Sequence, residues 1–504
     1  MLFKAFFHIF ATQKNHTMRR SIILISIATL LFSCKQQESI SAVADRVFKT
    51  AVYEFSEMDK SLDPGRYPRS YKYGELITSD TQWWCSGFYP GSLWYVYEYT
   101  GNEEIGELAK KYTLGLSHIL EGRTDHDLGF QINCSYGNAL RITGDSTLYA
   151  PMMVDAARKL ASRFIPEAGV IKSWDWGKSL GWDCPVIIDN MMNLELLMVA
   201  SGMTGDEALA DIANTHATTT MAHHFRDDYT CYHVVDYDSK DGSVRRRQTH
   251  QGYADESAWS RGQAWALYGY TMMYQKTGRK EYLAQAENVA KMILGKLTYG
   301  PIPVWDFDDP KGVKAYRDAS AGAVMASAFA TLSELTPNKN LSRKYRTIAE
   351  EQVRELASPS YLTTRDELGG FLLKHSVGNL PGESEVDRPL TYADYYFLEA
   401  LLKLAVAELA AQVLLVLLLV GVFGLLLHGD DEFAVAGEGD GEVLLRHPRS
   451  GHFKGVGRVA FSHVDGGRGA AVLGGSPVVA EEFVEEGRED AHVGVGGIDD
   501  RCHS

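Results

Sequence analysis

The stretch AWALYGYTMMYQKTGRKEYLAQ (264–285) shows the unit from which the fold is built. Ala264, Leu267 and Tyr270 recur at the spacing of an apolar helical face, and this pattern ends at Thr277-Gly278. A glycine directly after a helix fits the left-handed conformation that terminates it. A polar residue follows, and a second helical pattern begins at once. The stretch therefore predicts two helices joined by a very short turn.

The same turn recurs along the chain. Four helical patterns run into Thr-Gly and a polar residue, and a fifth copy is degenerate. The copies are Thr100-Gly101-Asn102, Thr143-Gly144-Asp145, Thr204-Gly205-Asp206, Thr277-Gly278-Arg279 and Thr336-Pro337-Asn338. Asp or Asn in the third position can cap the next helix. Because alternating strand patterns are scarce, about six helical hairpins in a row predict an all-α toroid with a central cleft rimmed by loops. A stacked solenoid built from the same unit is the alternative.

One segment concentrates side chains that suit a sugar-binding site. THQGYADESAWSRGQAW (249–265) combines one His, two Gln, one Arg, two carboxylates, a Tyr and two Trp. Trp259 and Trp265 offer flat stacking faces with a polar edge, and Arg261 offers a planar fork matched to a carboxylate. The combination indicates a pocket for an acidic sugar. The alternative is an amphipathic helix start with a surface arginine.

Two aspartates stand in apolar surroundings. Asp189 interrupts the apolar run VIIDNMMNLELL (186–197), and Asp127 lies at the mouth of an apolar segment in DHDLGFQINCSYG (125–137). Desolvation raises the pKa of a carboxyl group and suits it to donate a proton near neutral pH. Two carboxylates converging on an aromatic cleft resemble the arrangement of a glycosidase. The alternatives are a helix N-cap for Asp189 and an ordinary loop residue for Asp127.

Composition and missing motifs exclude several other classes. The net charge of −15 over 504 residues argues against a nucleic-acid-binding protein. The sequence contains no Walker loop, no GxGxxG after a strand and no HExxH. No CxxC pair supports zinc. The cysteines other than Cys34 are expected to be small buried side chains, with disulfides as the alternative; they are Cys85, Cys134, Cys184, Cys231 and Cys502. We therefore predict no metal and no cofactor.

The N-terminal region carries a secretion signal. A basic start at Met18-Arg19-Arg20 precedes the apolar run SIILISIATLLF (21–32) and Ser33-Cys34. The Leu-Phe-Ser-Cys ending resembles a bacterial lipobox, which implies cleavage before Cys34 and lipidation of its thiol. We expect residues 18–34 to be a lipoprotein signal peptide, residues 1–17 to lie upstream of the true start, and the protein to be anchored by lipid on the periplasmic or outer-membrane face. A single transmembrane anchor is the alternative.

Several motifs together resemble glycoside hydrolase family 88, the unsaturated glucuronyl hydrolases, over roughly residues 40–404. The motifs are WWCSGFYPGSLWYVYEYTG (83–101), HDLGF (126–130), IDNMMN (188–193), THQGYADESAWSRGQAWALYGY (249–270) and EVDRPLTYADYYFLEALL (385–402). The resemblance implies an (α/α)6 barrel catalytic domain. It also implies removal of the 4,5-unsaturated uronic acid that polysaccharide lyases leave on the non-reducing end of glycosaminoglycan-type fragments.

The resemblance also assigns site residues. It implies that Asp189 is the general acid and base that protonates C4 of the double bond, and that Asp127 is the second essential aspartate. The remaining pocket positions that it implies are Trp84 (or Trp83), His126, His233, His250, Gln251, Trp259, Arg261, Gln263 and Trp265. No cofactor is needed for this hydration chemistry. An unsaturated rhamnogalacturonyl hydrolase and a sugar-binding lipoprotein without turnover are the alternatives.

The composition changes after Leu404. Residues 405–504 contain no Tyr, Trp, Met, Asn or Thr, whereas the preceding part of the chain is rich in all five. The region begins with the apolar run VLLVLLLVGVFGLLL (413–427), which is short for a membrane span. We interpret 405–504 as an out-of-frame or fused translation outside the native fold. A membrane span and a low-complexity tail are the alternatives.

Overall fold

The computed structural model describes residues 38–122 and 124–428, with five short strands between 434 and 468. Within these residues twelve α-helices follow one another along the chain. They are α1 Ile40–Ser61, α2 Phe88–Thr100, α3 Glu103–Leu114, α4 Asn138–Thr143, α5 Ser146–Ala161, α6 Leu194–Thr204, α7 Glu207–His223, α8 Ser260–Thr277, α9 Lys280–Lys296, α10 Ala319–Leu335, α11 Lys339–Leu356 and α12 Thr391–His428. A π-helical turn, Gly129–Gly137, runs into α4, and a 3-10 turn, Ile188–Asn193, runs into α6.

The even-numbered helices form an inner ring and the odd-numbered helices form an outer ring. Neighbouring inner segments contact each other around the ring, with the π-helical turn Gly129–Gly137 making the contact to α6. Helix α12 contacts both α1 and α2, so the ring closes on itself. A stacked solenoid would leave its first and last hairpins apart. The closure therefore confirms the predicted (α/α)6 barrel.

The sequences of the helices explain which ring each one joins. Inner helix α10, ASAGAVMASAFATLSEL, is made mostly of small residues and is buried on nearly every side. Outer helix α11 buries a single stripe whose members recur every three or four positions, as an amphipathic helix does. The stripe consists of Tyr345, Ile348, Ala349, Gln352, Val353 and Leu356. The outer helices thus shield the inner ring while their other faces meet solvent.

The predicted Thr-Gly turns connect inner helices to outer helices. The glycines after these helices adopt left-handed φ values of 63°, 70°, 72° and 67° in the order Gly101, Gly144, Gly205 and Gly278. In the first turn, Thr100 Oγ1 accepts a hydrogen bond from the Asn102 amide at 3.2 Å, and Asn102 Oδ1 accepts from the Ile105 amide at 3.1 Å. The threonine therefore orders the turn while the third residue caps the next helix.

The opposite end of the barrel carries long connections with small antiparallel sheets. The strands in these connections are β1 Tyr67–Lys72, β2 Glu75–Ser79, β3 Phe164–Ile165, β4 Val170–Ile171, β5 Cys184–Ile187, β6 Val234–Tyr237, β7 Val244–Gln248, β8 Ser376–Asn379 and β9 Ser384–Arg388. Strands β5, β6 and β7 form one sheet, and the others pair as hairpins. The sequence did not predict these strands, since they are short. Five further strands follow α12, namely β10 Ala434–Glu438, β11 Glu442–Arg446, β12 Phe453–Lys454, β13 His463–Val464 and β14 Gly467–Arg468.

The C-terminal boundary of the barrel lies beyond the predicted residue 404. Helix α12 passes Leu404 without a break, and Glu408 accepts hydrogen bonds from the Ser41 amide at 2.7 Å and the Ser41 hydroxyl at 2.6 Å. Contacts within the barrel therefore extend a few residues past the predicted limit, because Glu408, near the middle of α12, is bonded to the first turn of α1. Immediately afterwards Leu414 and Leu415 are exposed.

Other predictions on the ends of the chain concern residues that are not described. The upstream extension 1–17, the signal peptide 18–34 with Cys34, and Cys502 lie outside the described residues. Among the helices that the structure describes, none combines the length and apolarity needed to cross a membrane. Of the five cysteines predicted to be buried, the four that the structure describes are buried and free, namely Cys85, Cys134, Cys184 and Cys231.

Candidate active site

The long connections bring the candidate residues to one end of the barrel. Trp84 lies just before α2, Asp127 just before the π-helical turn, and Asp189 in the 3-10 turn that leads into α6. Arg261 lies in the first turn of α8. All four are thus at the N-terminal ends of inner-ring segments, where unpaired backbone N–H groups carry partial positive charge. This end of the barrel suits an acidic ligand.

Asp189 is a buried carboxyl group whose Oδ2 has no hydrogen-bond partner in the described part of the chain. Burial raises its pKa to about 7, and the positive charge of Arg261 offsets part of the rise. A substantial fraction of the Asp189 side chains therefore carries a proton at neutral pH, as proton donation requires. The N-cap residue of α6 is Asn193. Capping of that helix is therefore not the role of Asp189.

Asp127 and His126 form a second buried pair. Burial raises the pKa of Asp127 well above its ordinary value, and the charges of Asp125 and Asp189 raise it further. Burial also lowers the pKa of His126 to about 4, so its ring is neutral. His126 Nδ1 donates to the Ser173 carbonyl at 3.0 Å, which leaves Nε2 as the acceptor, 3.3 Å from Asp127 Oδ1. A protonated Asp127 thus has an acceptor beside it.

Asp125, His126 and Asp127 also bring three potential metal-ligand atoms within 4.8 Å of one another. Two of the groups already have protein partners. His126 Nδ1 is bonded to a backbone carbonyl, and Asp125 Oδ1 accepts from the Asp127 amide at 2.9 Å. The arrangement therefore fits a proton-sharing pair, and the absence of a metal in the working site remains a prediction.

His233 places a fixed hydrogen-bond donor beside Asp189. Its Nδ1 accepts from the amides of His250 at 3.0 Å and Gln251 at 3.2 Å. Burial lowers the pKa of His233 well below its ordinary value, so the ring is neutral and its proton sits on Nε2. That Nε2 lies 3.8 Å from Asp189 Oδ2. The Gln251 side chain donates to the Gly378 carbonyl at 3.1 Å, at the edge of this group.

Arg261 is almost fully buried, with 2% of its surface exposed, which excludes the alternative of a surface arginine. Its guanidinium donates to Asp318 Oδ2 at 3.2 Å, to the Gly378 carbonyl at 2.6 Å and to the Val377 carbonyl. It also lies 4.4 Å from the centroid of the Trp259 ring. The sequence did not reveal Asp318 as its partner, because the two are far apart in the chain.

Gln263 differs from its predicted role as a free donor to the ligand. Its Oε1 accepts from the Cys231 amide at 2.8 Å. Its Nε2 donates to the Cys231 carbonyl at 3.1 Å and the Trp259 carbonyl at 3.3 Å. Because backbone groups occupy both ends of the amide, Gln263 braces the first turn of α8 and the segment before β6. The prediction that it contacts the ligand is not supported by this geometry.

The predicted tryptophans lie around the same pocket. Trp259 and Trp265 are buried, and each has an indole N–H without a partner among the described residues. Trp84 is half-buried against Phe88, Phe130 and Tyr392. The unpartnered N–H groups, together with the unpartnered oxygen of Asp189, are what a polar ligand would satisfy.

Three further tryptophans join the site from a segment that the sequence analysis missed. Trp174 is stacked 4.5 Å from Trp176 and 5.7 Å from Trp182, measured between ring centroids. The edge of Trp174 also meets the rings of His233 at 6.2 Å and His250 at 5.6 Å. Trp176 is 42% exposed, so the aromatic surface runs from the buried histidines to solvent. The signal was present, since WDWGKSLGW (174–182) has three Trp in nine positions.

Comparison with known proteins gives a consistent result. Residues 64–396 match the family model of Glycosyl Hydrolase Family 88. The chain is 38% identical over 396 residues to an unsaturated glucuronyl hydrolase of Formosa agariphila, across 76% of this chain and 98% of the relative. It is 31% identical to an unsaturated chondroitin disaccharide hydrolase of Streptococcus pyogenes serotype M1, across 66% of this chain and 84% of the relative. A solved unsaturated glucuronyl hydrolase specific for heparin is 44% identical with a TM-score of 0.70, across 73% of this chain and 98% of the other.

Proposed function

The chain belongs to glycoside hydrolase family 88, and we propose that it removes a 4,5-unsaturated uronic acid from the non-reducing end of lyase-generated, glycosaminoglycan-type oligosaccharides. The observation that carries the proposal is the buried Asp189, with a pKa of about 7 and an unpartnered oxygen, at the N-terminal ends of inner helices. This group can deliver a proton at neutral pH into a site whose helix ends favour an anion.

The reaction is the addition of water across an enol ether. Asp189 gives its proton to C4, and a water molecule adds at C5 while returning a proton to the aspartate. The product is a hemiketal that opens, and the bond to the next sugar breaks as the ring rearranges to an aldehyde-bearing chain. One water is consumed, and Asp189 ends in its starting protonation state. The chemistry requires no redox step.

The neighbouring groups have separate parts in this proposal. Asp127, protonated beside His126, holds a sugar hydroxyl and keeps a second negative charge away from Asp189. His233 presents Nε2–H to the carboxylate that forms when Asp189 gives up its proton. Arg261 supplies positive charge for the substrate carboxylate.

A panel of lyase-made disaccharides tests the proposal. The substrates are unsaturated disaccharides from chondroitin, hyaluronan and heparin, with an unsaturated rhamnogalacturonan disaccharide for comparison, and the signal is loss of the double-bond absorbance. We expect turnover of the glycosaminoglycan substrates by the wild type and turnover slower by orders of magnitude by Asp189→Asn. Turnover of the rhamnogalacturonan disaccharide alone would contradict the proposed substrate class. Binding of all substrates without loss of absorbance would instead favour a sugar-binding protein.

We also propose that the mature protein is lipid-anchored in a bacterial cell envelope, facing the periplasm or the outside. The support is the basic pair Arg19-Arg20, the apolar run 21–32 and the cysteine that follows it. Cys34→Ser should remove label from radioactive palmitate and release the protein from the membrane fraction. Equal labelling of wild type and Cys34→Ser would contradict the anchor.

A further inference from the structure

Arg163 lies outside the pocket, two residues after the end of outer helix α5. Only 11% of its side chain is exposed, and all five of its N–H donors are used. Three go to the carbonyls of Lys172 at 2.9 Å, Thr124 at 3.1 Å and Ser173 at 3.2 Å. The other two go to the two carboxylate oxygens of Asp175, at 3.0 and 3.2 Å. Arg163 therefore has no donor left for a ligand. Its hydrogen bonds instead hold together two loops, the one that contains Thr124 and the one formed by residues 171–175.

The first of these loops leads into the catalytic pair. Thr124 is three residues before Asp127. The Ser173 carbonyl that accepts from Arg163 also accepts from His126 Nδ1 at 3.0 Å. This shared carbonyl keeps the His126 proton on Nδ1 and leaves Nε2 as the acceptor facing Asp127. The bonds made by Arg163 thus reach Asp127 through two residues, Ser173 and His126.

The second loop, residues 171–175, leads to the other aspartate. The Ser173 hydroxyl accepts from the Ile187 amide at 3.0 Å, two residues before Asp189. The Ile171 carbonyl accepts from the Asn190 side chain at 2.7 Å, one residue after Asp189. This short segment is therefore bonded on one side to the loop of Asp127 and on the other to the turn of Asp189.

We propose that Arg163 is a positioning residue for the reaction, fixing segment 171–175 and through it the relative placement of Asp127 and Asp189 and the tautomer of His126. The inference rests on the proposed function. Only a guanidinium fits this role, because its five donors lie in one plane and reach a carboxylate and three carbonyls at once. The compact ammonium of lysine has three donors and no fork.

A comparison of Arg163→Lys with Arg158→Lys tests the inference. Arg158 lies in the last turns of α5, five residues before Arg163, is mostly exposed and pairs with Asp155 at 3.7 Å, so it is a matched control. For folded Arg163→Lys we expect kcat to fall at least about tenfold while KM changes little, since small misplacements of reacting groups are costly. The pH profile of kcat should also shift, because Arg163, Asp125, His126 and Asp189 all face Asp127. Arg158→Lys should match the wild type in every respect.

Chemical rescue provides a measurement that does not depend on how well the lysine variant folds. Arg163 lines a surface cavity of about 390 Å³ with Thr124, Lys159, Lys172 and others. Guanidinium at low millimolar concentration should therefore enter Arg163→Gly and restore part of kcat, whereas methylammonium should not. An Arg163→Lys enzyme whose kcat and pH profile match those of Arg158→Lys, or an Arg163→Gly enzyme indifferent to guanidinium, overturns the positioning role. A wild type inactive on all unsaturated substrates would instead refute the proposed function.

Discussion

At the scale of single residues, the site depends on keeping two carboxyl groups and three histidines uncharged. Burial acts in opposite directions on the two kinds of group, raising the pKa of Asp127 and Asp189 and lowering that of His126 and His233. The pKa of His250 is lowered for the same reason. At neutral pH the pocket therefore holds few net charges of its own, and the anionic substrate meets mainly Arg261 and the helix ends.

Replacing Asp189 by Asn keeps the size of the side chain but removes the transferable proton. We expect kcat to fall by about 10²–10⁴-fold, with substrate binding retained. Asp127→Asn should be severely impaired as well, because its carboxyl group lies beside His126 and interacts with Asp189. Initial rates from double-bond absorbance measure both effects, with the exposed Asp155→Asn as control. An Asp189→Asn enzyme within a few-fold of the wild type would exclude the assignment.

The pH dependence of the reaction follows from the proton that Asp189 donates. Asp189 must be protonated, and its pKa of about 7 places the loss of that proton in the neutral range. As pH rises above about 7, the protonated fraction and kcat/KM should fall about tenfold per unit. Because Asp189 and Asp127 interact, the apparent value belongs to the pair. Measurement of kcat/KM between about pH 5 and 9 checks this, and a flat profile above pH 7 would contradict it.

Arg261→Lys keeps the charge but loses the planar fork. The variant should bind substrate more weakly and should also unfold at a lower temperature, because the bonds to Asp318, Val377 and Gly378 cannot all be remade. KM and melting temperature are the readouts, with Arg343→Lys at an exposed position of α11 as control. Unchanged kcat and KM together with a lower melting temperature would make Arg261 purely structural.

The sequence predicted most of these residues because their chemistry is local. Asp127, Asp189 and Arg261 can be recognised in the sequence because each is a polar residue beside apolar or aromatic neighbours. The sequence could not predict that Asp318 pairs with Arg261, because the two residues are far apart in the chain and meet only when the ring of helices has folded. For Gln263 the sequence could not distinguish a ligand contact from a backbone contact, because an amide offers the same atoms to a ligand and to the backbone of Cys231.

At the scale of secondary-structure elements, the turns at the two ends of the barrel differ in how far sequence determines them. The Thr-Gly turns are determined by their own residues, a glycine in the left-handed conformation and a side chain that caps the next helix. These turns were predicted correctly. The hairpins at the other end have strands of only two to six residues. Their pairing comes from the barrel that holds their ends, so no periodic pattern reveals them.

Two glycines in inner helices provide a matched test of ring packing. A Cβ on Gly91 in α2 would lie 2.4 Å from the Cys134 carbonyl oxygen and 2.5 Å from the Tyr395 ring, whereas a Cβ on Gly202 in α6 would meet nothing within 4 Å. Gly91→Ala should destabilise the fold by about 1–3 kcal/mol through overpacking. Gly202→Ala should stabilise it by up to about 1 kcal/mol. Thermal unfolding of the two variants measures the sign and size of each change in stability. A stabilised Gly91→Ala would show that neighbouring inner helices can move apart to accept the added methyl group.

At the scale of the whole molecule, the closed ring of helices explains why the candidate active site lies at one end of the barrel. Every inner helix has its N-terminal end on the side of the long connections, so the partial positive charges of several helices converge there. A protein with a net charge of −15 can thereby bind an acidic sugar. The repeated turn predicted the number of hairpins and favoured a closed ring, but it left a stacked solenoid as an alternative, because closure depends on contacts between the first and last hairpins.

The extent of the native fold is tested by two truncations. A chain ending at residue 410 retains Glu408 and its bonds to Ser41, and it should match the full chain in activity and melting temperature. A chain ending at residue 404 loses those bonds. Its melting temperature should fall by a few degrees, since hydrogen bonds to a charged group contribute about 1.5–3 kcal/mol each. The active site is at the opposite end of α12, so kcat of the folded fraction should be unchanged in both. A large loss of stability in the longer truncation product would show that the helix beyond residue 410 packs on the barrel and that the native fold continues into the tail.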